Sequence, residues 1–263
     1  ATINILTGEE ITEQLLVDGV DLSWITITSV DATVNVNITS WSQNMLNSSG
    51  VSSLYVLFGA INAGKLPLID LYCDMTGSVA GCVFCSVRGD GSYAAFTPAS
   101  GATMTTIIAN SVGLYIQHGG TIFAPEFVLE KTQFAVYMYY NAYLTAVSSS
   151  FTESTSGMQI YNGSTAELSS ATITATDTPL RVYENSTVNI SSGTVTITAS
   201  AFFDAIDCRA GSKVNANNAT VSAFSVSRDE FYVSGGSVIV ATNSTGDLSQ
   251  TANNLTVNGV IYQ

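Results

Sequence analysis

One pattern recurs through the second half of this chain at intervals of 22 to 26 residues: apolar, any residue, apolar, two more residues, then glycine or asparagine. The paired apolar anchors are Leu114/Ile116, Val136/Met138, Met158/Ile160, Leu180/Val182, Ile206/Cys208 and Phe231/Val233. Three residues beyond them stand Gly119, Asn141, Gly163, Asn185, Gly211 and Gly236. Glycine and asparagine accept positive φ, so one tight turn is reused at a fixed point. Two further apolar pairs follow in register, beginning with Ile122/Ala124 and Phe127/Leu129, and Leu255/Val257 is expected to supply the last of them after an insertion. Each unit therefore holds three short segments of period-two alternation, which are strands rather than helices. Strand, turn, strand, turn, strand in some two dozen residues is the signature of a parallel β-helix. Its coils stack at roughly 4.8 Å, so equivalent residues form vertical columns.

Composition fits such a solenoid. Of 263 residues, 46% are hydrophobic and only 10% charged, which suits an outer face of neutral, sheet-forming side chains. Because a solenoid grows by adding coils, the length fits one β-helix domain, residues 1–263, with an N-terminal cap and irregular coils over 1–110 and regular coils over 111–263. Seven Lys+Arg against 20 Asp+Glu give an anionic surface, which argues against nucleic acid and anionic membrane as partners. No apolar run approaches the roughly 20 residues that span a bilayer. Ala1 does not open a signal peptide, so the expectation is a mature or trimmed chain, or one exported by other means.

The first half is less regular. Thr7-x-x-Glu10 has the form of a capping box, which predicts either a short capping helix or the first coil. Trp24–Thr28 and Val34–Thr39 alternate as strands, Ser42–Gly50 is polar loop, and a protruding loop is expected near Ala60–Pro67. The Arg88-Gly89-Asp90 triplet is better explained as a turn, with Gly91 in the glycine slot, than as an adhesion motif. Cys82 and Cys85 form a C-x2-C without a second one, and the chain has one histidine, so zinc is not expected. A Cys73 disulfide to Cys82 or Cys85 is the alternative to reduced core thiols, which are the expectation; Cys208 reads as a small buried hydrophobe. Eight N-x-S/T sequons arise without special cause in a chain so rich in Asn, Ser and Thr.

The outward columns carry the candidate function. Flanking the second anchor on either side stand Tyr115, Tyr137, Gln159, Arg181, Asp207, Tyr232 and Gln117, Tyr139, Tyr161, Tyr183, Arg209, Ser234. Stacked tyrosines, here Tyr115, Tyr137, Tyr139, Tyr161 and Tyr183 with Arg181 and Arg209, suit three roles: carbohydrate binding, a subunit interface, or a stabilising ladder. A second candidate is acidic. The coils anchored at Cys208 and Val233 are lengthened just before Asp204 and Asp229, which are equivalent by column, with Asp207 and Glu230 close by. Two carboxylates about 5 Å apart suit a retaining glycosidase. The same oxygens suit Ca²⁺ at the Asp204/Asp229 pair, and no other cofactor or metal is expected. Solvated turn acids are the bland alternative. His118 lacks a nucleophile motif, and Gly119-Gly120 is a turn rather than a phosphate cradle.

The opening Ile11–Thr28, followed by coils turning at Gly163-Ser164, Asn185-Ser186, Gly211-Ser212 and Gly236-Ser237, resembles the pectate-lyase-like β-helices of bacteriophage tail spikes and tail fibres. The resemblance implies a right-handed, single-stranded parallel β-helix in a homotrimeric virion appendage, extracellular and joined to other tail proteins. It also implies recognition of a bacterial surface polysaccharide. None of that family's catalytic residues transfers onto this chain, so binding is expected ahead of cleavage. A polysaccharide hydrolase or lyase using Asp204, Asp207, Asp229 and Glu230, and a cell-surface adhesin, are the alternatives.

Overall fold

The computed structural model describes residues 1–37, 55–78, 81–104, 111–199, 204–222, 230–245 and 259–262. Among them every regular element is a strand, and every pairing between strands is parallel. The chain is a parallel β-solenoid, as the repeat predicts. The first strand of each coil joins a nine-stranded anchor ladder running from Leu15–Asp18 through Tyr55–Ile61, Cys82–Arg88, Val112–Gln117, Phe134–Tyr139, Ser156–Ile160, Leu180–Val182 and Ile206–Cys208 to Phe231–Val233. Second and third strands stack as two more ladders. These belong to one 18-stranded sheet because Thr26–Val36 and Lys65–Asp74 are long enough to run through both.

The interior is a single column of apolar side chains. Leu114, Ile116, Val136, Met138, Met158, Ile160, Leu180 and Val182 are fully buried, as are the second and third pairs facing them. Towards the N-terminal end phenylalanines replace aliphatic residues: Phe127 lies 5.0 Å from Phe96, 5.8 Å from Phe84 and 6.2 Å from Phe151, ring centre to ring centre. Tilted rings at these separations add roughly 0.5–1.5 kcal/mol per pair beyond the area they bury.

The repeated turn uses two residues of positive φ, not one. Asn141, Asn185 and four glycines occupy the expected slot, and the residue before each, whether His118, Tyr140, Asn162, Glu184, Ala210 or Gly235, is also left-handed. From Gly119 to Gly211 glycine and asparagine alternate there, for a steric reason. The Asn141 amide oxygen lies 2.6 Å from where a Cβ on Gly163 would sit, and that of Asn185 lies 2.4 Å from the same point on Gly211. Just inside this turn Ser164, Ser186, Ser212 and Ser237 form a buried hydroxyl column. The oxygens of Ser164, Ser212 and Ser237 accept backbone N–H bonds from the preceding coil, such as Ser212 N–H to Ser237 Oγ at 3.1 Å.

For the first half one open alternative is decided and one expectation needs correction. Thr7 and Gly8 form a turn between the short strands Thr2–Ile5 and Glu10–Ile11, so the N-terminus is a first coil and not a capping helix. No loop protrudes at Ala60–Pro67. Asn62 and Ala63 both take positive φ and close the standard tight turn, and Lys65 starts the next strand at once. Gly91 does fill the glycine slot: a Cβ there would meet the Ala63 Cβ at 3.1 Å, one coil below. All four cysteines are free and buried. Burial pushes the Cys73 and Cys208 thiols up to about 12 and Cys82 up to about 11, so they pack as apolar groups. The Ser42–Gly50 loop, the Leu255/Val257 pair and the insertions before Asp204 and Asp229 lie outside the described residues.

Candidate functional site

The anchor ladder carries its outward residues in strict register. Tyr115 pairs with Tyr137, Tyr137 with Gln159, Gln159 with Arg181, Arg181 with Asp207, and Asp207 with Tyr232. Two residues along each strand runs the parallel column, in which Asp18 and Ile61 precede Arg88, Arg88 stands opposite Gln117, and the series continues through Tyr139, Tyr161 and Tyr183 to Arg209. The tyrosines expected to share a surface do so: Tyr139 and Tyr161 stack at 5.0 Å, and Tyr161 meets Tyr183 edge-on at 5.3 Å. Tyr115 and Tyr137 stack at 5.7 Å in the neighbouring column.

In the coils of Tyr115, Tyr137, Gln159 and Asp207 the two outward residues bond to each other, so each of these coils forms a rung. Gln117 Nε2 donates to the Tyr115 hydroxyl at 2.6 Å, the Tyr137 and Tyr139 hydroxyls share a hydrogen bond at 2.6 Å, and Tyr161 donates to Gln159 Oε1 at 3.0 Å. The rungs nearer the C-terminus are charged. Arg209 grips Asp207 through two nitrogens at 2.6 and 2.8 Å, while the Tyr183 hydroxyl donates to the same carboxylate. The Arg209 guanidinium lies 4.6 Å from the centre of the Tyr232 ring and 5.3 Å from that of Tyr183. Arg181 pairs with Asp177 at 3.1 Å, four residues back.

This packing makes the face denser than the sequence suggests. Tyr115, Gln117, Gln159 and Asp207 are buried by their neighbours, and Tyr137, Tyr139, Tyr161 and Tyr183 are half-buried with part of each side chain left open. Burial pushes Tyr115 and Tyr161 up to about 12. Tyr139 and Tyr183 are raised by burial first, then by their hydrogen bonds to Tyr137 and Asp207. All four phenols are thus neutral donors and acceptors at ordinary pH.

No protein-family model matches the chain, and no curated protein or solved structure is similar enough to it to carry an argument. Function therefore rests on this geometry.

The acidic candidates divide. Asp207 is buried with both oxygens engaged, which fixes Arg209 and leaves no free edge for proton transfer. Glu230 is buried one coil on, its backbone carbonyl accepting from Ile206 N–H at 2.9 Å. Asp204 is half-buried, and its column equivalent Asp229 lies outside the described residues. Among the described residues no three acidic, histidine or cysteine side chains converge as a metal site.

Some of this face was not foreseen. Val56, Val83 and Val112 form an apolar cluster separate from the interior, packed on Tyr115, Tyr137 and Phe134. The available signal is broken alternation, since Phe84-Cys85 and Ala135-Val136 are consecutive buried pairs that throw the preceding residue outward. His118, dismissed as a catalytic residue, stacks on Tyr140 at 4.8 Å and 19°.

Proposed function

We propose that this protein is the carbohydrate-recognition part of a virion tail appendage, acting as a homotrimer, and that its anchor-ladder face binds a bacterial surface polysaccharide. The observation that carries the reading is the run of touching rings from Tyr115 through Tyr137, Tyr139 and Tyr161 to Tyr183, extended by the Arg209 guanidinium to Tyr232, with hydroxyl and amide groups at the ring edges. Sugar rings present C–H groups on their faces and hydroxyls around their rims. An aromatic face with hydrogen-bonding edges complements both. The rungs are spaced at about 4.8 Å, so Arg88 to Ser234, seven coils, spans roughly 29 Å, which fits an extended oligosaccharide and not a single sugar. Fixed rings also bind at low entropic cost, because stacking has already restricted their rotamers.

Binding is proposed ahead of cleavage because Asp207, the acid on this face, is already committed to Arg209 and Tyr183. Titration calorimetry against capsule and lipopolysaccharide fragments from candidate hosts tests the reading. Tyr161→Ala is expected to weaken binding at least tenfold, a loss of about 1.4 kcal/mol or more. An unchanged affinity would remove the face from recognition. Shortening of the polysaccharide during the titration would favour the depolymerase alternative, and light scattering that finds a monomer at micromolar concentration would remove the trimer.

A further inference from the structure

We propose that the N-terminal end of this face, at Arg88, Gln117, His118 and Tyr140, is a subsite for a sugar bearing an oxyanion, so that the glycan is an acidic one. The inference rests on the carbohydrate reading and adds the charge of the ligand.

Three of the chain's four arginines, Arg88, Arg181 and Arg209, stand on this one face in a protein of net charge −13. Two of them are neutralised from within their own coil, Arg209 by Asp207 and Arg181 by Asp177. Arg88 is not. Among the described residues no carboxylate lies within salt-bridge distance of its guanidinium. Asp90, the nearest acid along the chain, turns its carboxylate over the next coil, with Oδ1 1.7 Å from where a Cβ on Gly119 would sit. Residues 38–54, 79–80 and 105–110, outside the described residues, contain no Asp or Glu.

The surroundings of Arg88 suit a sugar acid. Half-buried Arg88 lies in register with Gln117, close enough to act on Tyr115 and His118; burial first, and then the positive charge of Arg88, disfavours protonation of the imidazole. A neutral His118 ring stacked on exposed Tyr140 forms a flat shelf, and Tyr140 continues into the main face, 5.7 Å from Tyr139. Two residues before Arg88, the buried Ser86 Oγ has no hydrogen-bond partner among the described residues. A planar five-donor guanidinium without an internal carboxylate matches a carboxylate, sulfate or phosphate oxyanion in the forked geometry that arginine favours. The ring carrying that group would lie on the His118–Tyr140 shelf, and the polymer would continue along the tyrosines.

The test compares three oligosaccharide sets on the full chain by calorimetry: hexuronate oligomers, sulfated oligomers and neutral hexose oligomers. Acidic oligomers are expected to bind on the order of tenfold more tightly than neutral ones, and Arg88→Gln to abolish that preference with the circular dichroism spectrum unchanged. Hexuronate above sulfate identifies a carboxylate, and the reverse identifies a sulfate. If neutral oligomers bind as well as acidic ones, or the preference survives in Arg88→Gln, the subsite is wrong while the face stands. If nothing in any set binds, both fall.

Discussion

Phe127 touches the rings of Phe84 and Phe96 in the preceding coil and of Phe151 in the following one, with no exposed surface. Truncating it leaves a cavity that rigid strands cannot close, so Phe127→Ala should destabilise the fold by about 3–5 kcal/mol in urea unfolding. The tyrosine rungs give a pH prediction. Folded Tyr115 and Tyr161 titrate near 12, above the ordinary value of about 10, so the fold favours their protonated forms. Their contribution is fully present below about pH 10 and is lost as pH rises through about 12. Stability should therefore be flat from neutral pH to about 10 and fall between 10 and 12, as phenolate absorbance from these side chains rises. At this scale the sequence was legible where chemistry demands one residue type: the Gly and Asn turn slots, and the apolar anchors. It was silent about His118, Glu184 and Ala210, which enter the same left-handed turn. Their side chains carry no signature of that conformation, and the neighbouring glycine or asparagine sets it.

Strand register decides what meets what between coils. Gly157 begins an anchor strand so close to the next coil that an added Cβ would lie 2.0 Å from the Pro179 carbonyl oxygen. Gly157→Ala must push those strands apart, and a cost of about 1–3 kcal/mol in thermal or urea unfolding is expected, with the Tyr161–Tyr183 contact loosened. The period made three ladders and the outward columns predictable, because in-register stacking follows from coils of equal length. The first half resisted the same reading because its elements run longer. Thr26–Val36 and Lys65–Asp74 cross two ladders without a Gly or Asn turn between them, so no punctuation marks the corner. Arg88 was hidden similarly. Its coil carries an extra residue at Gly89–Gly91, which obscures that Arg88 falls in the column of Gln117 and Tyr139.

Across the whole molecule, a solenoid's stability is a sum over neighbouring coils, and its recognition surface is whatever one column repeats. Here that column concentrates ring area and arginine on one face of an otherwise anionic chain. The second ladder presents different exposed groups, Phe123, Tyr143 and Tyr262, which are not joined into hydrogen-bonded rungs. The repeat anticipated the solenoid but left the role of the face open among glycan, partner and plain ladder, because all three use stacked tyrosine. Hydroxyl-radical footprinting with and without bound host polysaccharide separates them directly. Protection of Tyr139, Tyr161, Tyr183 and Tyr232, with Phe123, Tyr143 and Tyr262 unchanged, is the predicted result. Protection confined to the second ladder, with the rungs as reactive as before, would contradict it.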